Sequence, residues 1–230
     1  MKTIGLIGGM SWESSIEYYR LINEGVRERL GGLHSAQGLM YSVDFAEIEA
    51  LQRRGEWAEA TEMMVDAARR LERGGADFVV ICTNTMHLMA DKVEGSIRIP
   101  LLHIADATAE ELKAKGLKKV GLLGTRFTME QDFYRGRLEA RHHLEVITPG
   151  EEDKEIVHRV IYEELCMGKI RASSRAHYVR IMNRLVEAGA QGIVLGCTEI
   201  GLLVQANDCT APLFDTTRIH AQAAVDYALR

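Results

Sequence analysis

Hydrophobic positions along the chain follow two rhythms that alternate from one end to the other. Short continuous apolar runs fall at 3–7, 78–82, 99–104, 120–123, 144–147, 193–195 and 213–214. Runs of that length without alternation predict strands covered on both faces. Leu39, Tyr41, Val43 and Phe45 alternate along the chain instead and predict one more strand. Elsewhere the spacing changes to three or four: Ile16, Tyr19, Ile22, Val26 and Leu30 mark a helix that Gly31-Gly32 closes, and another runs from about 57 to 71 before Gly74-Gly75. Strands separated by helices predict an α/β fold with parallel sheets.

The chain also resembles itself. Lys2-Thr3-Ile4-Gly5-Leu6-Ile7-Gly8 is matched by Lys118-Lys119-Val120-Gly121-Leu122-Leu123-Gly124, and Tyr18-Tyr19-Arg20 by Phe133-Tyr134-Arg135. Residues 71–85 align with 185–199 at an offset of 114, and Pro100-Leu101-Leu102 with Pro212-Leu213-Phe214 at 112. Any one pair is explained by the common grammar of helix-to-strand turns, but three pairs in order, the tripeptides counted with the first, favour duplication. The predicted organisation is two pseudo-symmetric domains, each a mostly parallel sheet flanked by helices: 1–98 with 215–230, and 99–214.

Composition narrows the partner. With 47% apolar and 27% charged residues in 230, disorder and coiled coil are excluded. A net charge of -5 and no basic cluster longer than Arg53-Arg54 leave no electrostatic footprint for nucleic acid or an anionic membrane, so a small molecule is the expected partner. The apolar start at 4–7 is too short for a signal-peptide core and no 18-residue apolar run follows, which predicts a cytoplasmic chain. The four cysteines, Cys82, Cys166, Cys197 and Cys209, show no metal-ligand spacing and fit a reducing compartment.

The second repeat sets Ile81-Cys82-Thr83-Asn84-Thr85 against Leu195-Gly196-Cys197-Thr198-Glu199, so that Cys82 falls opposite Gly196 and Thr83 opposite Cys197. Both segments are polar, end apolar strands and precede helical sequence, where open α/β sheets hold ligands. A helix start there offers unpaired N–H groups and lowers the pKa of a nearby thiol, which makes Cys197 the expected reactive thiolate. Cys82, Cys166 and Cys209 read as packed hydrophobes. The Gly5-x-x-Gly8-Gly9 turn lacks dinucleotide spacing and reads as a backbone-approach turn. His87 either polarises the site or caps the pocket, and His142-His143 reads as solvated surface.

Gly8-Gly9-Met10-Ser11-Trp12-Glu13-Ser14, Cys82-Thr83-Asn84-Thr85-Met86-His87 and Gly196-Cys197-Thr198-Glu199 together resemble the aspartate/glutamate racemase family, in order and over the whole chain. The likeness is to its L-aspartate/glutamate-specific and broad-specificity branch. The resemblance implies a cofactor-independent homodimeric enzyme of two α/β domains, with an amino acid between them and a cysteine from each flanking its α-carbon. It implies catalytic roles for Thr83 and Cys197 and substrate contacts from Met10, Ser11, Gln52, Asn84, Thr85, Thr198 and Glu199. In this chain the family's first cysteine is replaced by Thr83; Cys82 is one position too early.

Racemisation without a cofactor removes a proton from one face of the α-carbon and delivers one to the other. The family implies that Cys197 serves the L-enantiomer. A hydroxyl at 83 is a poor base, so the two directions should differ. Arg53 and Arg54 are candidates for an acidic side chain, with surface arginines the plainer explanation for the pair, and Gln52 beside them is a candidate for a polar group. L-Aspartate and L-glutamate are the expected substrates. Broader or neutral substrates, cofactor-independent decarboxylation and a degenerate amino-acid sensor are the alternatives.

Overall fold

The computed structural model describes residues 1–230 and divides into two compact units, 1–103 with 220–230 and 104–219.

In the first unit β1 (Ile4–Gly8), α1 (Trp12–Leu30), β2 (Gly38–Ser42), α2 (Phe45–Arg54), α3 (Trp57–Arg73) and β3 (Phe78–Ile81) follow in order. A 3₁₀ turn (Thr85–Met89), α4 (Ala90–Glu94) and β4 (Leu101–Leu102) come next. The four strands are parallel in the order β2-β1-β3-β4. β1 and β3 are central and wholly buried, which is why their sequences run apolar without alternation. One face packs on α2 and α3 through Ile48, Met64, Ala68 and Leu71. The other packs on α1 through Tyr18, Ile22 and Val26. α1 starts on Ser11, whose hydroxyl accepts from the Ser14 N–H, and ends at Gly31 with a φ of 74°.

The second unit repeats the plan. It runs α5 (Ile104–Ala114), β5 (Lys119–Gly124), α6 (Arg126–Glu130), α7 (Arg135–His142), β6 (Glu145–Ile147) and α8 (Glu151–Glu163). A 3₁₀ turn (Leu165–Met167), α9 (Ala172–Glu187), β7 (Ile193–Gly196), α10 (Ile200–Leu203), a second 3₁₀ turn (Ala206–Asp208) and β8 (Leu213–Asp215) follow, and α11 (Thr216–Leu229) returns the chain to the first unit from residue 220 on. The second unit's sheet is again parallel, ordered β6-β5-β7-β8. The helices after the fourth strands exchange allegiance. α5, which follows β4, covers the second sheet through Ile104, Ala105, Ala109 and Leu112, while Ala221, Ala224, Val225 and Ala228 of α11 cover the first.

Several local expectations are corrected. The alternating segment stops being a strand at Ser42, because the Asp44 carboxylate accepts from the Ala46 N–H and starts α2 at Phe45. The run at 99–104 contributes only Leu101 and Leu102 to a strand, and Ile104 already begins α5. β4 pairs with β3 and so belongs to the first unit, and the chain leaves each unit about five residues later than the pattern suggested. On α1 the buried face holds Tyr18, Ile22, Gly25 and Val26, whereas Ile16 and Tyr19 are exposed with Trp12 on a separate stripe.

Candidate active site

Each unit presents one polar corner at the carboxyl end of its central strands. In the first, β1 ends in a turn that only glycine fits: Gly9 has a φ of 92°, and a Cβ there would overlap the Val43 carbonyl. Met10 and Ser11 follow and are buried. The Ser11 hydroxyl serves the helix start, and the Gly9 N–H donates to Ser15 Oγ at 2.7 Å. After β3, Thr83 is half-buried, while Asn84 and Thr85 are buried. The His87 Nδ1–H donates to the Thr83 carbonyl oxygen at 2.8 Å. Gln52 reaches the same turn from α2, with Nε2 at 3.1 Å from Met86 Sδ.

In the second unit Cys197 and Thr198 are half-buried and Glu199 is buried. The Cys197 thiol donates to Glu199 Oε2 at 3.0 Å. Burial pushes this thiol well above its ordinary range, and the charges of Glu199 and Cys166 push it the same way. The expected lowering is thereby reversed. Its supposed cause is also missing, because α10 has only four residues and the turn after Thr85 only five, too short for a developed helix dipole. Cys197 rests as a thiol.

Strand register tests the repeat directly. Ile7 pairs with Ile81 in the first sheet, and its counterpart Leu123 pairs with Leu195 in the second. Counting on, Cys82 corresponds to Gly196 and Thr83 to Cys197. Cys82 has no exposed surface, lies in the core that holds Leu6 and Val80, and donates its backbone N–H to the Ile7 carbonyl at 2.9 Å. Burial raises its thiol pKa far above the ordinary range.

Arg53 and Arg54 are not drawn into the corner. Both are exposed and paired, Arg53 with Glu49 at 2.6 Å and Arg54 with Glu56 at 2.6 Å. His142 is not solvated surface either: its Nε2 lies 2.8 Å from Asp106 Oδ1, beside Arg137. Two neighbours went unnoticed in the sequence. Tyr178 is buried, donates to the Val157 carbonyl at 3.0 Å, and has its hydroxyl pKa raised by burial and then by Cys197. Thr125, buried at the end of β5, accepts from the Thr128 N–H at 3.3 Å. Extending the first repeat by one residue past Gly8 and Gly124 points to it.

A model of the Asp/Glu/hydantoin racemase family matches residues 7–224, and the chain belongs to that family. It is an amino-acid racemase of the PLP-independent class. A solved structure from Yersinia pestis, assigned as an Asp/Glu racemase, is 58% identical with a TM-score of 0.94, each chain covered in full. An aspartate racemase homologue from Pyrococcus horikoshii is 36% identical with a TM-score of 0.86, again with full coverage of both. The broad-specificity amino-acid racemase of Bacillus subtilis is 22% identical over 73% of this chain and 71% of its own length. No helix is long and apolar enough to cross a membrane.

Proposed function

We propose that the enzyme interconverts the L- and D-enantiomers of aspartate and glutamate, with Cys197 and Thr83 serving opposite faces of one α-carbon. The observation that carries this is the strand register, which makes Thr83 and Cys197 equivalent residues of two repeated units. The resting Cys197 thiol must first ionise. Its proton passes along the existing hydrogen bond to Glu199, and the ammonium group of an arriving amino acid favours the thiolate that remains. The thiolate then takes the α-proton of the L-enantiomer. Thr83 gives its hydroxyl proton to the opposite face of the carbanion and recovers one from water. Asn84, Thr85 and Thr198, with Met10 and Ser11 shaping the turn behind them, hold the α-carboxylate as it gains charge. Gln52 meets the substrate side chain.

A free thiol has a pKa of about 8.5 and a hydroxyl ionises far less readily, so removal of a proton from the D-enantiomer is the harder half of the cycle. The enantiomers have equal free energy in water, which makes the asymmetry one of saturation and rate, not of equilibrium. L-Aspartate in heavy water should gain deuterium at the α-carbon and yield D-aspartate. Thr83→Cys should raise turnover of D-aspartate by about tenfold or more. Unchanged D-aspartate turnover in that variant removes Thr83 from the proton path, and evolution of carbon dioxide replaces racemisation with decarboxylation.

A broader substrate range has one observation in its favour. Because Arg53 and Arg54 are held by Glu49 and Glu56, the residue that α2 offers the turn at Met86 is the Gln52 amide. A panel of acidic, neutral and basic L-amino acids separates the two ranges. We place the enzyme in the cytoplasm as a homodimer, with the exposed Trp12, Ile16 and Tyr19 stripe of α1 supporting self-association.

A further inference from the structure

Three buried imidazoles surround the Thr83 corner within the first unit. His87 packs edge-on against His103, with ring centroids 4.6 Å apart, and against His220 at 5.7 Å. His220 is fixed at both nitrogens. Its Nε2 lies 2.9 Å from the Leu102 carbonyl, which can only accept, so Nε2 carries the hydrogen; Nδ1 of the neutral ring then accepts from the Tyr18 hydroxyl at 2.8 Å. The same logic settles His87, whose Nδ1 must carry the hydrogen given to the Thr83 carbonyl. His103 from the end of β4 and His220 from α11 thus pack against the ring that grips Thr83, and Tyr18 from α1 and Leu102 of β4 hold His220 in place.

The second unit builds its corner differently. At the offset of 114 that relates Thr83 to Cys197, the counterpart of His87 is Gly201. Val80 pairs with Leu102 and Val194 with Phe214, which makes Asp215 the counterpart of His103. These counterparts also meet: a Cβ on Gly201 would lie 2.9 Å from Asp215 Oδ2. Asp215 is occupied elsewhere, its Oδ1 accepting from the Thr217 N–H at 2.9 Å at the start of α11. The Cys197 carbonyl is held by the backbone N–H of Ile200 at 3.1 Å, with no side chain involved. The histidine pair therefore stands only on the side where a hydroxyl replaces a thiol.

We propose that His87 is a positioning residue for the Thr83 half-site: its imidazole grips the Thr83 carbonyl and so fixes the direction of the hydroxyl and of Asn84-Thr85 behind it. This rests on the proton-transfer role assigned to Thr83 above. A hydroxyl transfers its proton only within about 2.6–3.2 Å of the receiving atom, and a misplacement of about 1 Å costs on the order of a hundredfold. The soft, polarisable sulfur of Cys197 works from a simpler turn.

The test separates the two faces. Return of deuterium into unreacted L-aspartate from heavy water needs Cys197 alone, whereas conversion to D-aspartate also needs Thr83. An asparagine side chain places its N–H₂ where the imidazole Nδ1 stands, and a glutamine places it near Nε2. His87→Asn should convert L- to D-aspartate within about threefold of wild type. His87→Gln should lose about 10–100-fold in kcat for conversion, with KM and deuterium return into L-aspartate within about twofold. Equal loss of return and conversion in His87→Gln, or equal conversion by the two variants, overturns the positioning role. Wild-type enzyme that neither exchanges nor racemises overturns the proposed function itself, a distinct outcome.

Discussion

At the scale of single residues the least expected finding is the resting state of Cys197. The sulfur proposed as a base is held protonated by burial and by the carboxylate that accepts its hydrogen. Glu199 thus has two opposed effects. Its charge raises the thiol pKa, and in the proposed mechanism its oxygen takes the proton when substrate arrives. Glu199→Gln separates them. Removing the charge should shift the pH midpoint of Cys197 alkylation by iodoacetamide downward, while loss of the basic oxygen, since an amide oxygen accepts the hydrogen bond but does not take the proton, lowers kcat by about a hundredfold. An alkylation midpoint that stays or rises would detach Glu199 from Cys197. Cys82 illustrates the converse: a more conspicuous thiol by sequence, it is a fully buried residue of the core that also holds Leu6 and Val80.

At the scale of elements, His220 joins α11 to α1 and β4 through its two nitrogens. Burial pushes its pKa from 6.5 to about 4, and the hydrogen bond to the Leu102 carbonyl offsets part of the fall. Between those values the unfolded chain binds a proton that the folded unit refuses. The stabilisation is therefore complete above pH 6.5, declines as pH falls, and is gone below about pH 4. It amounts to about 3 kcal/mol. Urea midpoints measured across this range should fall steeply with acid in the wild type. In His220→Gln, which keeps a donor for Leu102 and does not titrate, the slope should be shallower; matching slopes would dismiss His220 as the source. The acid sensitivity belongs to the packing of three elements and to no feature of the α11 sequence alone.

At the scale of the whole molecule, two repeated units place a hydroxyl and a thiol at equivalent strand ends, and the proposed dimer can be tested on the exposed stripe of α1. Trp12 and Tyr19 are 62% and 63% exposed on a helix whose other apolar face is fully buried. Light scattering should give twice the chain mass for the wild type and a monomer for Trp12→Glu combined with Tyr19→Glu; a dimer that survives both changes would locate the interface elsewhere. The sequence alone determined the alternation of strand and helix, the duplication, and the correspondence of Thr83 with Cys197. These are local or self-comparative properties: a continuous apolar run, a Gly-Ala turn and a repeated spacing are visible wherever the chain lies in space. Only the tertiary structure decided that α5 covers the second sheet and α11 the first, that Arg53 and Arg54 are taken by Glu49 and Glu56, that Cys197 is a thiol at rest, and that His87, His103 and His220 meet. Each of those depends on which distant residues exclude water or supply a partner, and desolvation and hydrogen bonding are set by that enclosure and not by order along the chain.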